Sequence, residues 1–231
     1  MVKDIIDVIL ALPSQHVIFG TISTVLCIAA VWVYSNSSDE IKMVFLQTTS
    51  YLVIFNEIAF QVNMIYYGMW SHKTSLPLEM CYISALLVPL YPKYKNYQPL
   101  KNWFFFAGFG GSLFAFINTN LSETEQIYVS IHYFFAHGLV IFVMLSLVAD
   151  GYRPSWNDYF NAIKMTTFLV IIIVCINLAL DSNYMFTFKK PSGTNFTILM
   201  PEWPLYFIMM LSIGLVFYTL MMIVSFVPVK K

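Results

Sequence analysis

Residues 127–149 read "IYVSIHYFFAHGLVIFVMLSLVA". The run contains no acid, no lysine and no arginine, only the histidines His132 and His137. It exceeds the roughly 20 apolar residues that a helix needs to cross the hydrocarbon core of a bilayer. It ends abruptly in "DGYRP" (150–154), a turn sequence with a charge at each side of a glycine. Such a segment is a transmembrane helix, and the remaining question is how many like it the chain holds.

The composition extends this reading to the whole chain. Of 231 residues, 59% are hydrophobic, 18% aromatic and only 10% charged, and the mean hydropathy is +0.72. A soluble domain of this length lacks the polar surface to stay dissolved with such a composition. The formal net charge is zero, which gives no electrostatic footprint for nucleic acid. No soluble domain fits between the apolar runs, so residues 1–231 read as one integral membrane domain, an all-α polytopic helix bundle.

Seven spans are expected, at about 17–34, 43–67, 76–92, 102–121, 127–149, 160–181 and 203–227. The third is the weakest. It is short, contains Glu79 and meets Pro89 and Pro92 at its far end, which predicts a shortened or tilted helix buried among the others. Basic residues set the orientation. Lys3, Lys73, Lys189 and Lys190 fall on the side of the N-terminus; Lys42, Lys93, Lys95, Lys101, Arg153, Lys230 and Lys231 fall on the other. The richer side is expected to be cytoplasmic, with the N-terminus outside. The start, "MVKDIIDVILALPSQH", carries Asp4 and Asp7 and no small-residue cleavage site, so no cleavable signal is expected. No internal repeat of the kind that builds many transporters is visible. Abundant Phe, Ile, Asn, Tyr and Lys beside a single Arg point to an AT-rich bacterial genome.

Ionisable groups at membrane depth are costly and face the protein interior. In the second span Asn56, Glu57, Phe60, Gln61 and Asn63 share a broad helical face, a polar stripe that suits either interhelical hydrogen bonding or a functional lining. In the sixth, Asn177, Asp181 and Tyr184 follow one another at i, i+4 and i+7. In the fourth, Gly108, Gly111 and Ala115 lie together, where small residues let helices approach closely. His132 and His137, five positions apart, point about 140° from each other, so they are not expected to face one pocket squarely. Three cysteines, Cys27, Cys81 and Cys175, form no C-x-x-C pair, and neither a disulfide framework, a metal site nor any cofactor is indicated. Cys81 is expected in the second turn of a helix starting near Ser75, with Pro77 in the first turn. Glu79 should project roughly 200° around that helix from it, away from the thiol. A cysteine there is a packing residue or, if a histidine takes its proton, a nucleophile.

Several segments carry a resemblance. "LPLEMC" (76–81), "AHGLVIFVMLSLVADGYRP" (136–154), "NLALDSNYMFTFKKPSG" (177–193) and "PEWPLYF" (201–207), in this order and spacing, resemble the bacterial YwaF-type integral membrane proteins. Those are related to the eukaryotic transmembrane protein 164 acyltransferases. The resemblance implies transfer of an acyl chain between phospholipids, with membrane lipids as partners. By position it places a cysteine nucleophile at Cys81 and its histidine at His137 rather than His132. Glu79 stands where that family commonly has a histidine.

Two functions are therefore carried forward. The first is a lipid acyltransferase that works through a thioester, catalysed by Cys81 and His137, with Glu57, Asn177, Asn183 and Tyr184 as candidate substrate-binding residues by type. The second is a proton-linked transporter in which Glu57, Asp181 and His137 form the path and Cys81 is packing. A non-catalytic sensor or assembly role completes the alternatives.

Overall fold

The computed structural model describes residues 2–118, 121, 126–192 and 195–226, without the side chains of 2–4. Lys230 and Lys231, and the side chain of Lys3, which entered the count of basic residues, lie outside the described residues.

Among the described residues the chain forms α-helices and shorter helical turns, with no strand. The helices are α1 (Val2–Leu10), α2 (Ser14–Ser35), α3 (Asp39–Tyr66), α4 (Met80–Leu87), α5 (Tyr91–Tyr94), α6 (Gln98–Asn102), α7 (Phe109–Ile117), α8 (Ile127–Ala149), α9 (Trp156–Leu180) and α10 (Leu205–Ser225). A 3₁₀ turn, Val88–Leu90, joins α4 to α5, and wider π-type turns, Trp103–Gly108, join α6 to α7. Six segments are long and apolar enough to cross a membrane: α2, α3, the continuous Gln98–Ile117, α8, α9 and α10.

The third expected span is the broken run α4, 3₁₀ turn and α5. Pro89 and Pro92 fall in the first turns of the two later pieces, where their missing N–H is tolerated while a continuous helix is interrupted. The run still passes from one end of the bundle to the other, because side-chain contacts sort the loops into two groups. At one end Tyr34 and Lys42 both bond to Asp150, Gln98 and Asn102 bond to Asp158, and Trp156 meets Phe226. At the other end Ser130 donates to Gln15, Phe196 to Asn118, Leu76 to Tyr184 and Lys73 to Asp181.

α8 is the axis of the bundle. It packs against α2, α3, α4 and α7 and is buried over most of its length, whereas α2, α9 and α10 are mostly exposed apolar surface. Ile22, Val25, Leu26, Ile171, Leu215 and Val216 are among the exposed large apolar side chains. In water this arrangement would aggregate; in lipid it is the expected outer face of a helix bundle. Polar signals set helix ends where the sequence offers them. Ser155 and Asp158 form a reciprocal capping box at the start of α9, and Asp181 closes the same helix in the left-handed conformation.

Candidate functional site

The geometry around Cys81 begins with what precedes it. Residues 76–79 are not helical, contrary to the expected start near Ser75. The Leu76 N–H donates to the Tyr184 hydroxyl at 3.0 Å, and the Glu79 carboxylate accepts from the Met185 N–H at 2.8 Å. Leu76, just before Pro77, is also biased away from helical backbone. Both effects hold the segment extended, and Glu79 becomes the N-cap residue of α4, with φ −72° and ψ 149°. Cys81 is therefore in the first turn of α4, not the second. Its sulfur is acted on by the backbone N–H groups of Cys81 and Tyr82, which have no carbonyl partner within the helix at this position.

Cys81, Tyr82, His132, Ala136 and His137 line a common cavity of about 10 Å³, space for about one water molecule. The divergence expected of the two histidines does not separate them. Helical side chains lean back toward the N-terminus, so the His137 ring lies over the turn of Tyr133, with its Nδ1–H donating to the Tyr133 carbonyl at 2.5 Å. The small Ala136 leaves the strip between the two imidazoles open.

Their hydrogen bonds distinguish them. The Asn56 amide donates to His132 Nδ1 at 3.0 Å and, more weakly, to the His132 carbonyl at 3.4 Å. An amide group that also faces a carbonyl must be the NH₂ end, so Nδ1 is the acceptor. His132 Nε2 then carries the proton and donates to the Tyr82 oxygen at 2.9 Å. Phe60 stacks on the same ring at 3.8 Å between centroids. Both nitrogens of His132 are committed. His137 commits Nδ1 as donor, which leaves Nε2 with its lone pair.

The polar stripe of α3 turns partly toward this site. Asn56 and Phe60 hold His132, and Gln61 donates to Glu57 at 3.1 Å and to the Ser75 carbonyl at 2.9 Å. Asn63 bonds only to its own helix, at Ala59. Glu79 and, more weakly, Glu57 lie within electrostatic reach of the thiol, but neither lines the cavity.

Asn177, Asn183 and Tyr184 are not brought to the cavity either. Asn177 donates to the Tyr184 carbonyl and to Thr187, and accepts from Ser182 and from the Tyr184 N–H. Asn183 donates to the Lys189 carbonyl and accepts from the N–H groups of Phe188 and Lys189. The Tyr184 hydroxyl bridges Leu76 N–H and the His72 carbonyl. All three shape the 181–189 loop, which in turn seats Glu79 ahead of Cys81. Asp181 is exposed and paired with Lys73 at 2.5 Å, which holds its carboxyl below the usual range.

The glycines of the fourth span serve packing. A Cβ at Gly111 would stand 3.6 Å from the Cys81 nitrogen, and one at Gly108 would stand 3.5 Å from the Ser84 hydroxyl. Trp103 donates to that hydroxyl at 3.0 Å. The helix carrying Trp103, Gly108 and Gly111 thus braces α4 from behind. Sequence reasoning passed over Tyr82. Its signal was available, a hydroxyl adjacent to the candidate nucleophile. Its link to His132 was not, because residues 50 apart meet only in the fold. Among the described residues no three His, Cys, Asp or Glu side chains gather as metal ligands would.

Comparison with known proteins gives a family match. The model of the TMEM164 family matches residues 11–222. No curated protein and no solved structure matches the chain. The family match covers all but the two ends, and six apolar helices are long enough to span a bilayer: the chain is a multi-pass membrane protein that belongs to the TMEM164 family.

Proposed function

We propose that the protein transfers fatty acyl chains between membrane lipids through a thioester on Cys81. One observation carries this reading: Cys81 and His137, whose Nε2 is uncommitted, line the same small cavity. Charge separation is costly in so dry a site, so proton transfer from sulfur to Nε2 accompanies attack on the ester carbonyl. The new C–S bond forms as the ester C–O bond breaks. His137 returns the proton to the departing lysolipid oxygen. In the second half, an acceptor hydroxyl gives its proton to His137 and attacks the thioester, which restores the thiol.

The oxyanion needs donors. Tyr82 accepts from His132 and therefore keeps its own proton free to donate into the cavity. The first-turn N–H groups of α4 add to it. Asn177, Asn183, Tyr184 and Glu57 are positioning residues in this scheme, acting through the loops that seat Glu79 and Ser75. A cavity of about 10 Å³ admits no lipid, so the ester reaches the sulfur when the helices around it part. Five basic residues (Lys42, Lys93, Lys95, Lys101 and Arg153) gather at the end opposite Lys73, Lys189 and Lys190. That bias supports a site facing the outer leaflet of a bacterial cell membrane.

The test is the intact mass of protein purified from membranes. An added acyl mass that hydroxylamine removes, absent from Cys81→Ser and retained in Cys27→Ser and Cys175→Ser, is the expected result. Equal acylation of wild type and Cys81→Ser would exclude Cys81 as nucleophile and bring forward the transporter reading built on Glu57, Asp181 and His137.

A further inference from the structure

α8 has a second face. His132, Ala136 and His137 point to the Cys81 cavity, while Phe134, Gly138 and Phe142 line a separate slot of about 540 Å³ between α2 and α3. At 100° per residue these two sets lie on opposite sides of the helix. We infer that this slot is a binding site for one acyl chain of a bilayer phospholipid.

The shape follows from how three helices meet. α2 and α3 each pack along α8 but touch each other little. Near the turn that joins them, Tyr34 and Lys42 are tied to Asp150 at 2.7 and 3.1 Å. Tyr34, Phe45 and Phe142 fill that end with edge-on and tilted rings. Away from this closed end the two helices leave a gap floored by α8. On α2 the lining runs from Phe19 to Ala30, about 16 Å at 1.5 Å per residue. This is close to the thickness of one leaflet's hydrocarbon, half of the roughly 30 Å core.

The chemistry of the wall selects the occupant. Its surface is almost wholly carbon. Of the three hydroxyls in it, Ser23 is committed to the Phe134 carbonyl at 2.9 Å and Thr49 to the Phe45 carbonyl at 2.8 Å, and Thr48 is exposed. A polar ligand would lose its hydration there for a single open hydroxyl, that of Thr48. The mouth is flanked by exposed Leu26 and Val44 on membrane-crossing helices, so the medium at its entrance is lipid chains. The slot is concave on three sides, which suits a single flexible chain better than the flank of a second copy. Its volume is in the usual range for small-ligand sites.

The experiment is native mass spectrometry of the full chain in mild detergent, with palmitoyl-oleoyl phosphatidylglycerol titrated in. The expected result is one tightly held phospholipid on wild type and equally on Cys81→Ser, which keeps this test independent of the thioester chemistry. Thr48→Phe, from an exposed lining position, and Ala30→Phe fill the slot and should weaken retention about tenfold by displacing chain methylenes. Val216→Phe, on the exposed face of α10, should leave it unchanged. Monodisperse elution checks that each variant folds. Equal retention by both filled variants, no retained phospholipid, retention of free palmitate alone, or a dimer that excludes lipid would each overturn the assignment.

Discussion

Tyr82 and His132 meet at 2.9 Å across the contact between α4 and α8, and this bond determines what each can do. With Asn56 donating to Nδ1, His132 has one proton, on Nε2, and Tyr82 receives it. His132 is thus left without a free lone pair, and Tyr82 is left with a free proton. The residue beside the thiol becomes a donor, and the base must be the other histidine. Two imidazoles on one cavity take different roles because their second partners differ, Asn56 for one and the Tyr133 carbonyl for the other.

His137→Ala should slow acylation of Cys81 by about a hundredfold or more, the ordinary range for loss of a general base, with the thiol still present. His132→Phe keeps the stack on Phe60 and loses both hydrogen bonds. It should slow acylation far less and lower stability instead, by about 1–3 kcal/mol for the buried groups left unpaired. Initial rates with an alkyne-tagged lipid donor, beside thermal unfolding of the same variants, separate the two effects. A larger rate loss in His132→Phe than in His137→Ala would reverse the assignment.

Tyr82→Phe removes the hydroxyl and little volume. If that hydroxyl donates to the oxyanion, the acylation rate should fall about a hundredfold, as when one oxyanion donor is removed. The apparent binding of donor lipid should stay near wild type. A parallel loss of binding with an unchanged maximal rate would make Tyr82 a packing residue.

Asn177 is buried and makes four hydrogen bonds to the loop that follows α9. Asn177→Ala orphans the partners at once, and a cost of about 2–3 kcal/mol is expected. Because that loop holds Glu79 through Met185, acylation should also weaken, as a secondary effect. Denaturant unfolding in detergent reads the first, and the labelling rate reads the second.

The passage from sequence to structure was uneven for physical reasons. Long apolar runs and their proline breaks follow from solvation and backbone sterics, which are local, so the bundle and the weak third span at Pro89 and Pro92 were legible. Cys81 was misplaced by a turn because the extended form of residues 76–79 depends on Tyr184 and Met185, more than a hundred positions away. Angular projection separated His132 from His137 correctly at the backbone, yet side-chain lean and a small Ala136 let both reach one cavity. Asn177, Asn183 and Tyr184 are candidates by residue type, and only the fold shows that nearby backbone consumes their hydrogen bonds, the loop after α9 for the two asparagines and Leu76 and His72 for the Tyr184 hydroxyl.

Lys73 and Asp181 join the two loops above the site. Asp181 titrates below the usual carboxylate range because of Lys73. A folded-state value below the unfolded one means that the link is fully present above the ordinary carboxylate range and is lost as pH falls through the lower, folded value. Hydrogen exchange of the Ser182 N–H, bonded to the Asn177 carbonyl, should therefore change little between neutral pH and pH near 5 and should accelerate, after correction for intrinsic rates, only in stronger acid. Asp181→Asn should abolish that acid step. The exposed position of Asp181 makes this a local effect rather than a global one.

Gly138 adjoins His137 and faces Ser23 of α2. A Cβ there would lie 2.4 Å from the Ser23 hydroxyl but 3.8 Å from the Ser23 Cβ. The obstruction is one oxygen atom. Gly138→Ala must push that hydroxyl off the Phe134 carbonyl, which it meets at 2.9 Å, and open the α2–α8 contact. The expected cost is about 1–3 kcal/mol, from overpacking together with a lost hydrogen bond. Ser23→Ala alone loses only the hydrogen bond, about 1 kcal/mol. In the double variant the clash is gone, since the remaining carbon atoms stand at ordinary contact, and the helical alanine is favoured over glycine by about 1 kcal/mol. Gly138→Ala with Ser23→Ala should therefore be more stable than Gly138→Ala alone, a positive coupling that unfolding of the four proteins in a double-mutant cycle measures directly. Additive costs would mean that α2 and α8 do not close on each other through this pair.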